Sequence, residues 1–458
     1  MARPAHVIII GGGFSGVLTA IHLARIAPPD RVRITLLNPT PDIGRGLAYR
    51  FDDDNLLLNV PAGNMSALAD EPMHFVSYCL RIDPSLSPGS FVLRRLYGQY
   101  LHDLWSHTRA AHPGAIDVRV DKAVALSRPP GEAGWDVALA SGERLRAEQV
   151  VLALGHQVPR FPIPLEPEVQ ERVIAPWDFD AMHRLPNHQP VLIMGTGHTA
   201  VDALFCLTQS PRRGPIYLLS RHGLLPHRHR LSPTAPKPKA FPEFLRDVPP
   251  TVRAYTRALR QHLKTLAQQG GDWRDALNEL RPHRPQLWQS WPAAEQRRFL
   301  RHLQAYWDVH RHRLAPMAAQ RLDQLLAERR AQVIAGRITT LRQLSDGVEV
   351  AYRPRGSKQV STLQARAIVN CIGPNTDIQH HSNPLLAQLL KEGLIAPDTH
   401  GLGLRVTPDL QVIDTNQNPV ESLWYVGPLL KGDLWEATAV PELRLHAQHL
   451  AQTLLHLP

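Results

Sequence analysis

Two stretches of the chain share one pattern: a short unbroken apolar run, a glycine turn, then apolar residues at helical spacing. In the first, residues 6–10 read as a strand buried on both faces, Gly11-Gly12-Gly13 turns the chain, 15–26 is helical, and 32–37 is the next strand. In the second, residues 191–194, Gly195-Thr196-Gly197, 198–208 and 216–219 repeat that order. Each is a βαβ unit. Buried strands are also expected at 149–154, 367–373 and 423–427, a meander around 347–352, helices over 91–108 and 441–455, and a loop-rich stretch over 39–72. Residues 252–328 carry helical spacing rich in Arg, Gln, His and Trp and interrupt the second unit. The pattern predicts an α/β chain with two Rossmann-like dinucleotide-binding domains and a helical insertion. The expected boundaries are 1–160 and 376–458 for a first dinucleotide-binding domain; 161–230 and 331–375 for a second; and 231–330 for the insertion.

The turns carry the chemistry. Gly11-x-Gly13-x-x-Gly16 follows a strand and opens a helix: Gly11 permits the turn, Gly13 lets a pyrophosphate approach the backbone, and Gly16 lets helix and strand pack closely. Phe14 and Ser15 lie at the helix N-terminus, where backbone N–H groups face an anion. The acid expected at the end of the second strand is replaced by Asn38, a weaker acceptor for a ribose hydroxyl. The second turn is Gly195-x-Gly197-x-x-Ala200, with His198 and Thr199 inside it. Its return strand ends in Ser220-Arg221 rather than an acid, which suits a 2′-phosphate and so NADPH. Two such turns imply an electron path from a nicotinamide to a second nucleotide, most simply FAD. Gly155-His156 and Gly373 close apolar strands of the kind that connect two such domains.

Charge and cysteines narrow the classes. A net charge of +10 suits anionic partners, whether dinucleotides, an anionic substrate or nucleic acid. Cys79, Cys206 and Cys371 are far apart, so no paired thiols can take electrons from a flavin, and a disulfide reductase is disfavoured. The first apolar run stops at Gly11, far short of the ~20 residues of a membrane span, and no leader is visible; a cytoplasmic protein is expected. No metal is expected. A short echo stands apart: His227-Arg228-His229-Arg230-Leu231-Ser232-Pro233 and His310-Arg311-His312-Arg313-Leu314-Ala315-Pro316. Trp307, His310 and Arg313 would share a helix face. His310, Arg311 and His312 are candidates for an anion site with one histidine as proton donor, against a plain basic face or an ion pair with Asp308.

Further segments carry a family resemblance: Gly44-Arg45-Gly46-Leu47-Ala48-Tyr49, Leu58-Asn59-Val60-Pro61 with Met65-Ser66, residues 94–100, Asp272-Trp273-Arg274, 307–313, 370–374 and 432–444. On these the chain resembles the bacterial FAD/NAD(P)-binding proteins of the YdhS type, over nearly its whole length. More distantly it is similar to NADPH-dependent N-hydroxylating flavin monooxygenases. That likeness implies that Gly44, Arg45, Gly46, Ala48, Tyr49, Asn59, Met65 and Ser66 cradle the flavin. It also implies that the segment from Gly427 to Ala439, with Trp435 and Glu436, meets the flavin's pyrimidine end beside the dipole of the last helix. The expected function is an NADPH-dependent FAD monooxygenase acting with dioxygen on a small anionic or amine substrate. The alternatives are a reductase that does not oxygenate, a nucleic-acid-directed flavoprotein and a flavin sensor; neither a nucleic acid nor a membrane is an expected partner.

Overall fold

The computed structural model describes residues 4–28, 30–231 and 240–456. Two parallel sheets organise them. In the first, the strands run in space Gln411–Ile413, Pro419–Tyr425, Gln149–Leu152, Ala5–Ile10, Val32–Asn38 and Ile116–Val120, all parallel except the Gln411–Ile413 edge. Ala5–Ile10 lies centrally, which is why its apolar run is unbroken: Val7, Ile8, Ile9 and Ile10 are all buried. The helix Phe14–Ile26 covers one face and packs along the final helix Val440–Leu455. A three-stranded antiparallel sheet (Ala123–Ser127, Trp135–Leu139, Arg144–Ala147) joins the same core.

The second sheet has the order Ser361–Ala365, Gly347–Pro354, Ala331–Leu344, Ile216–Ser220, Val191–Met194, Ala367–Asn370, Val173–Ile174. Its centre is parallel. Ala331–Leu344 is long enough to pair in parallel at its start and to carry the antiparallel meander at its far end. The chain passes between the two sheets at two places, and these passages touch: Gln157 and Asn375 form an antiparallel bridge.

The helical insertion consists of Val252–Gln268, Trp273–Leu280, Arg284–Ser290, Ala293–His302 and Gln304–Arg311. It is shorter than the 231–330 expected from the sequence. The next helix, Pro316–Ala327, buries Ala318, Ala319, Leu322 and Leu325 in the core of the second sheet. That helix is the crossover a parallel βαβ unit requires, and helical spacing alone does not separate it from its neighbours. Residues 232–239, with the Ser232-Pro233 end of the first histidine–arginine copy, lie outside the described residues.

Candidate functional site

At the first turn every glycine has a distinct reason. Gly11 has φ +122°, and a Cβ there would run into the carbonyl of Ala153. A Cβ on Gly16 would strike the Gly11 carbonyl, so helix and strand could not close. Gly13 differs: a Cβ would meet only Gly46 Cα, at 3.8 Å, so the space beside it is open to a ligand. The loop of Gly44, Arg45 and Gly46 is tied across this gap by the Gly44 amide donating to the Gly12 carbonyl at 2.8 Å. Arg45 is held by Asp42 at 2.7 Å, and Ala48 and Tyr49 follow in the short helix Gly46–Tyr49. The Tyr49 ring meets Tyr97 edge-on at 4.8 Å, and burial pushes its phenol up to about 12. Asn38 accepts from the Gly12 amide at 3.0 Å and donates to Thr40 O at 2.7 Å. It therefore fastens the loop, with one Oδ1 lone pair left for a ribose. A glycine gap at a helix N-terminus fits the pyrophosphate of a dinucleotide.

The second turn repeats this geometry. Gly195 has φ +109° and sits against the Cys371 carbonyl, whereas Gly197 faces open space. Ala200 is fully buried. The hydroxyl of Ser220 accepts from Thr196 Oγ1 and from the Gly223 amide, both at 3.0 Å, so it shapes the loop. Arg221 is exposed and has no carboxylate partner among the described residues; the charges of Arg221 and Arg355 both hold the His222 imidazole below its ordinary range, after burial. Three basic groups thus share the corner where a 2′-phosphate is expected.

The two halves meet around a group of buried bases. His198, in the second turn, has its Nε2 3.0 Å from the His312 carbonyl oxygen. Burial, then the charge of Arg94, lowers its imidazole to about 4. His312 is held well below its usual range by burial and then by Arg311, His198, Arg284 and Lys431. Lys431 comes from the first half, over the Trp435 ring at 4.9 Å, and is lowered by burial against the opposing pull of Asp308. His156, at the passage between sheets, is lowered to about 4 by desolvation and by Lys431. Gly155 and Gly373 face open space there. One buried ion pair also joins the halves: Arg94 binds Asp202 through two hydrogen bonds, of 2.8 and 3.2 Å.

The two copies of the histidine–arginine motif lie side by side. His227 N donates to Val309 O, and Leu314 N to His227 O. The His227 and His310 rings are 4.3 Å apart, with Trp273 edge-on to both. The helix ends at Arg311, so Arg313 does not share a helix face with Trp307 and His310 as its spacing suggested. His310 faces this outer cluster, with Nδ1 donating to Tyr306 O at 2.8 Å. Arg311 turns inward to Glu436 at 3.0 Å, not to Asp308. Of the three catalytic candidates, His312 alone has both His198 and Lys431 among the charges acting on it.

Trp435, expected at the pyrimidine end of a flavin, stacks on Trp288 at 4.7 Å and lines an aromatic cavity of about 110 Å³ in the insertion. Glu436 is 4% exposed and receives Trp307 Nε1 at 2.6 Å together with Arg284 and Arg311. A buried carboxylate requires such partners, which the insertion supplies from residues more than a hundred positions away. Ser66 keeps its proton inside its own loop, on Glu71 O at 2.7 Å or Leu68 O; its carbonyl accepts from Arg444 at 2.8 Å. Met65 is buried, and the Asn59 backbone is bonded by His229, whose imidazole burial and Arg313 lower to about 3. Gly427, at φ +141°, fits under Tyr425 Oη, and Ala439 caps the last helix. Lys431 and Asp202 were not singled out from sequence, Arg94 stood only in the family-like segment 94–100, and Asp308 was named only as an ion-pair partner. The only sign of His229 was the repeated motif.

A family model described as FAD-NAD(P)-binding matches residues 8–157. The L-aspartate N-monooxygenase (nitrosuccinate-forming) of Streptomyces cremeus is 30% identical over 176 residues, a match spanning 36% of this chain and 25% of that protein. Among solved structures, L-lysine 6-monooxygenase from Pseudomonas syringae superposes with a TM-score of 0.67 at 16% identity over 98% of both chains. The ornithine N-hydroxylase of Kutzneria sp. 744, in complex with reduced FAD, NADP+ and L-ornithine, gives 0.65 at 12% identity over 98% of this chain and 99% of that one. The chain therefore has the fold of two-dinucleotide flavoproteins.

Proposed function

We propose that the protein is an FAD- and NADPH-dependent monooxygenase that hydroxylates the nitrogen of a small amine. Overall, an amine, dioxygen, NADPH and a proton would give a hydroxylamine, water and NADP+. What carries the reading is the approach of the second glycine turn to groups of the first half: His198 Nε2 lies 3.0 Å from the His312 carbonyl oxygen, and Lys431 from the first half is close enough to act on the same His312. The curated relative, an N-monooxygenase, and the fold support it. The reading also fits a cytoplasmic protein of the YdhS-type group, with its three cysteines buried and free.

FAD would be held by the backbone around Gly11, Gly13 and Gly16 with Gly44–Gly46 opposite, and NADPH by Gly195, Gly197 and the helix that starts at His198, its 2′-phosphate by Arg221 beside His222 and Arg355. When bound, the flavin supplies the two electrons that activate dioxygen. The protein's part is placement and exclusion of water. His312, kept neutral by burial and then by the cations around it, is a poor base and serves as a hydrogen-bond acceptor for the substrate amine, whose ammonium must give up its proton to solvent before the nitrogen is nucleophilic. The test is anaerobic: record the spectrum of the purified protein, add NADPH, then admit oxygen with candidate amines. Bleaching, then an amine-dependent hydroxylamine product, is expected. Bleaching with electron transfer to artificial acceptors and no hydroxylamine from any amine would overturn oxygenation in favour of a reductase.

A further inference from the structure

Between the insertion, the last helix and the Met65-Ser66 loop lies a buried cluster of charge that does not balance. Arg281, Arg284 and Arg311 approach Glu442 Oε1 at 3.2, 2.6 and 3.9 Å, and Arg284 and Arg311 also hold Glu436. Arg444 joins from the last helix, bonded to the Ser66 carbonyl. Arg313 sits beside them, 4% exposed, with one neutral partner, Asn278 Oδ1 at 3.0 Å. Five guanidinium groups thus face two carboxylates. Among the described residues Arg281 Nη2, Arg313 Nε and Arg444 Nε are buried and have no acceptor, and Glu442 Oε2 is the one acceptor of the cluster buried without a donor. Asp272 acts on Arg313 but is shared with Arg230 and Arg274, so the outer neighbours do not supply the whole missing charge. Arg230 and Arg274 are already matched by Asp275 and Asp272, and Lys431 by Asp308.

A guanidinium stays charged, so a buried one without an anion costs several kcal/mol that folding alone does not return. The dinucleotide phosphates are expected at the two glycine turns, of which the second borders the cluster through His198 on the His312 carbonyl, so the cluster is to be titrated without NADPH. Resting on the monooxygenase reading, we propose that this cluster binds the carboxylates of the substrate, with Arg313 as the principal contact, and that the substrate is a small amine bearing two carboxylates: an acidic amino acid rather than a diamine. The surplus disfavours a second cationic group, since it would add a like charge to five. The extended pairing of the two motif copies sets Arg313 there, and His229 beside it is held neutral by burial and then by Arg313 and Arg311.

The experiment is calorimetric titration of the flavin-loaded protein with L-aspartate, L-glutamate, succinate, L-ornithine and cadaverine, followed by NADPH-driven turnover with the same compounds. Dicarboxylates are expected to bind, whereas cadaverine and L-ornithine, which carry a second ammonium and at most one carboxylate, are not. Arg313→Met should weaken dicarboxylate binding about ten- to a hundredfold, as loss of a charge-assisted contact does, and Arg313→Lys should restore part of it. Flavin content reports whether each variant folds; if neither does, the ranking of ligands by the unaltered protein decides. Diamines binding as well as dicarboxylates, or folded Arg313→Met binding aspartate unchanged, would overturn the proposal. Succinate binding without any bleaching by NADPH would leave the anion site standing and remove the monooxygenase reading instead.

Discussion

The Arg94–Asp202 pair should cost far more to break than to replace. Its side chains are 11% and 9% exposed, and two hydrogen bonds join them. At about 3 Å and an effective dielectric of ~20, the attraction is roughly 5 kcal/mol. Most of it offsets the desolvation of both ions. Asp202→Ala removes the attraction but leaves Arg94 buried, so a loss of about 3–5 kcal/mol is expected. Replacing both, as Arg94→Met with Asp202→Leu, should cost under about 1 kcal/mol. With roughly 2.1 cal/mol/K of unfolding entropy per residue, a loss of ~4 kcal/mol lowers Tm by about 4 °C if the chain melts as one unit. Denaturant titration of the two single variants and the double variant closes the cycle. Because the pair joins the helix Arg94–Ala111 to the helix His198–Leu207, the single variants should also slow flavin reduction by NADPH more than the double variant does. Single-variant losses below about 1 kcal/mol, or losses that simply add in the double variant, would show that the two ions are not coupled and refute the reasoning.

Gly13→Asp should abolish flavin binding by setting a carboxylate in the open gap beside Gly46; a normal yellow protein would remove the pyrophosphate assignment. Gly16→Val should cost more than about 3 kcal/mol by overpacking against the Gly11 carbonyl, read from soluble yield and Tm. Arg221→Ala should raise KM for NADPH about tenfold and leave KM for NADH within twofold; equal changes would place the 2′-phosphate elsewhere. Acid should destabilise the protein: His198 takes its proton at about 4 when folded and near 6.5 when unfolded. The unfolded chain therefore binds more protons as pH falls from 6.5 towards 4, and stability drops through that window, by at most about 3 kcal/mol from this residue. A Tm profile from pH 7.5 to 4.5 that is no shallower in His198→Gln would discard that account.

Both βαβ units were legible because each is local: an apolar strand, a glycine turn and a helix lie within about thirty residues, and Gly11, Gly16 and Gly195 answer to steric demands of the turn itself. The connecting strands were legible for the same reason, as apolar runs that only burial on both faces explains. The rest depended on contacts between residues distant in sequence. Pro316–Ala327 has the same helical spacing as the insertion, and only packing on the second sheet assigns it there. Trp435 and Glu436 sit in a segment that the family likeness gave to the flavin, yet they are covered by the insertion, since Glu436 meets Trp307 and Arg311 only in three dimensions. The twin histidine–arginine copies were visible as an echo, but not their pairing, nor that one Arg would turn to a carboxylate and the next would be left without one. The sequence determined which segments could bury themselves and turn around a phosphate. The charges a substrate meets were decided by the tertiary structure, because electrostatic balance in a buried site is a sum over neighbours that the chain order does not record.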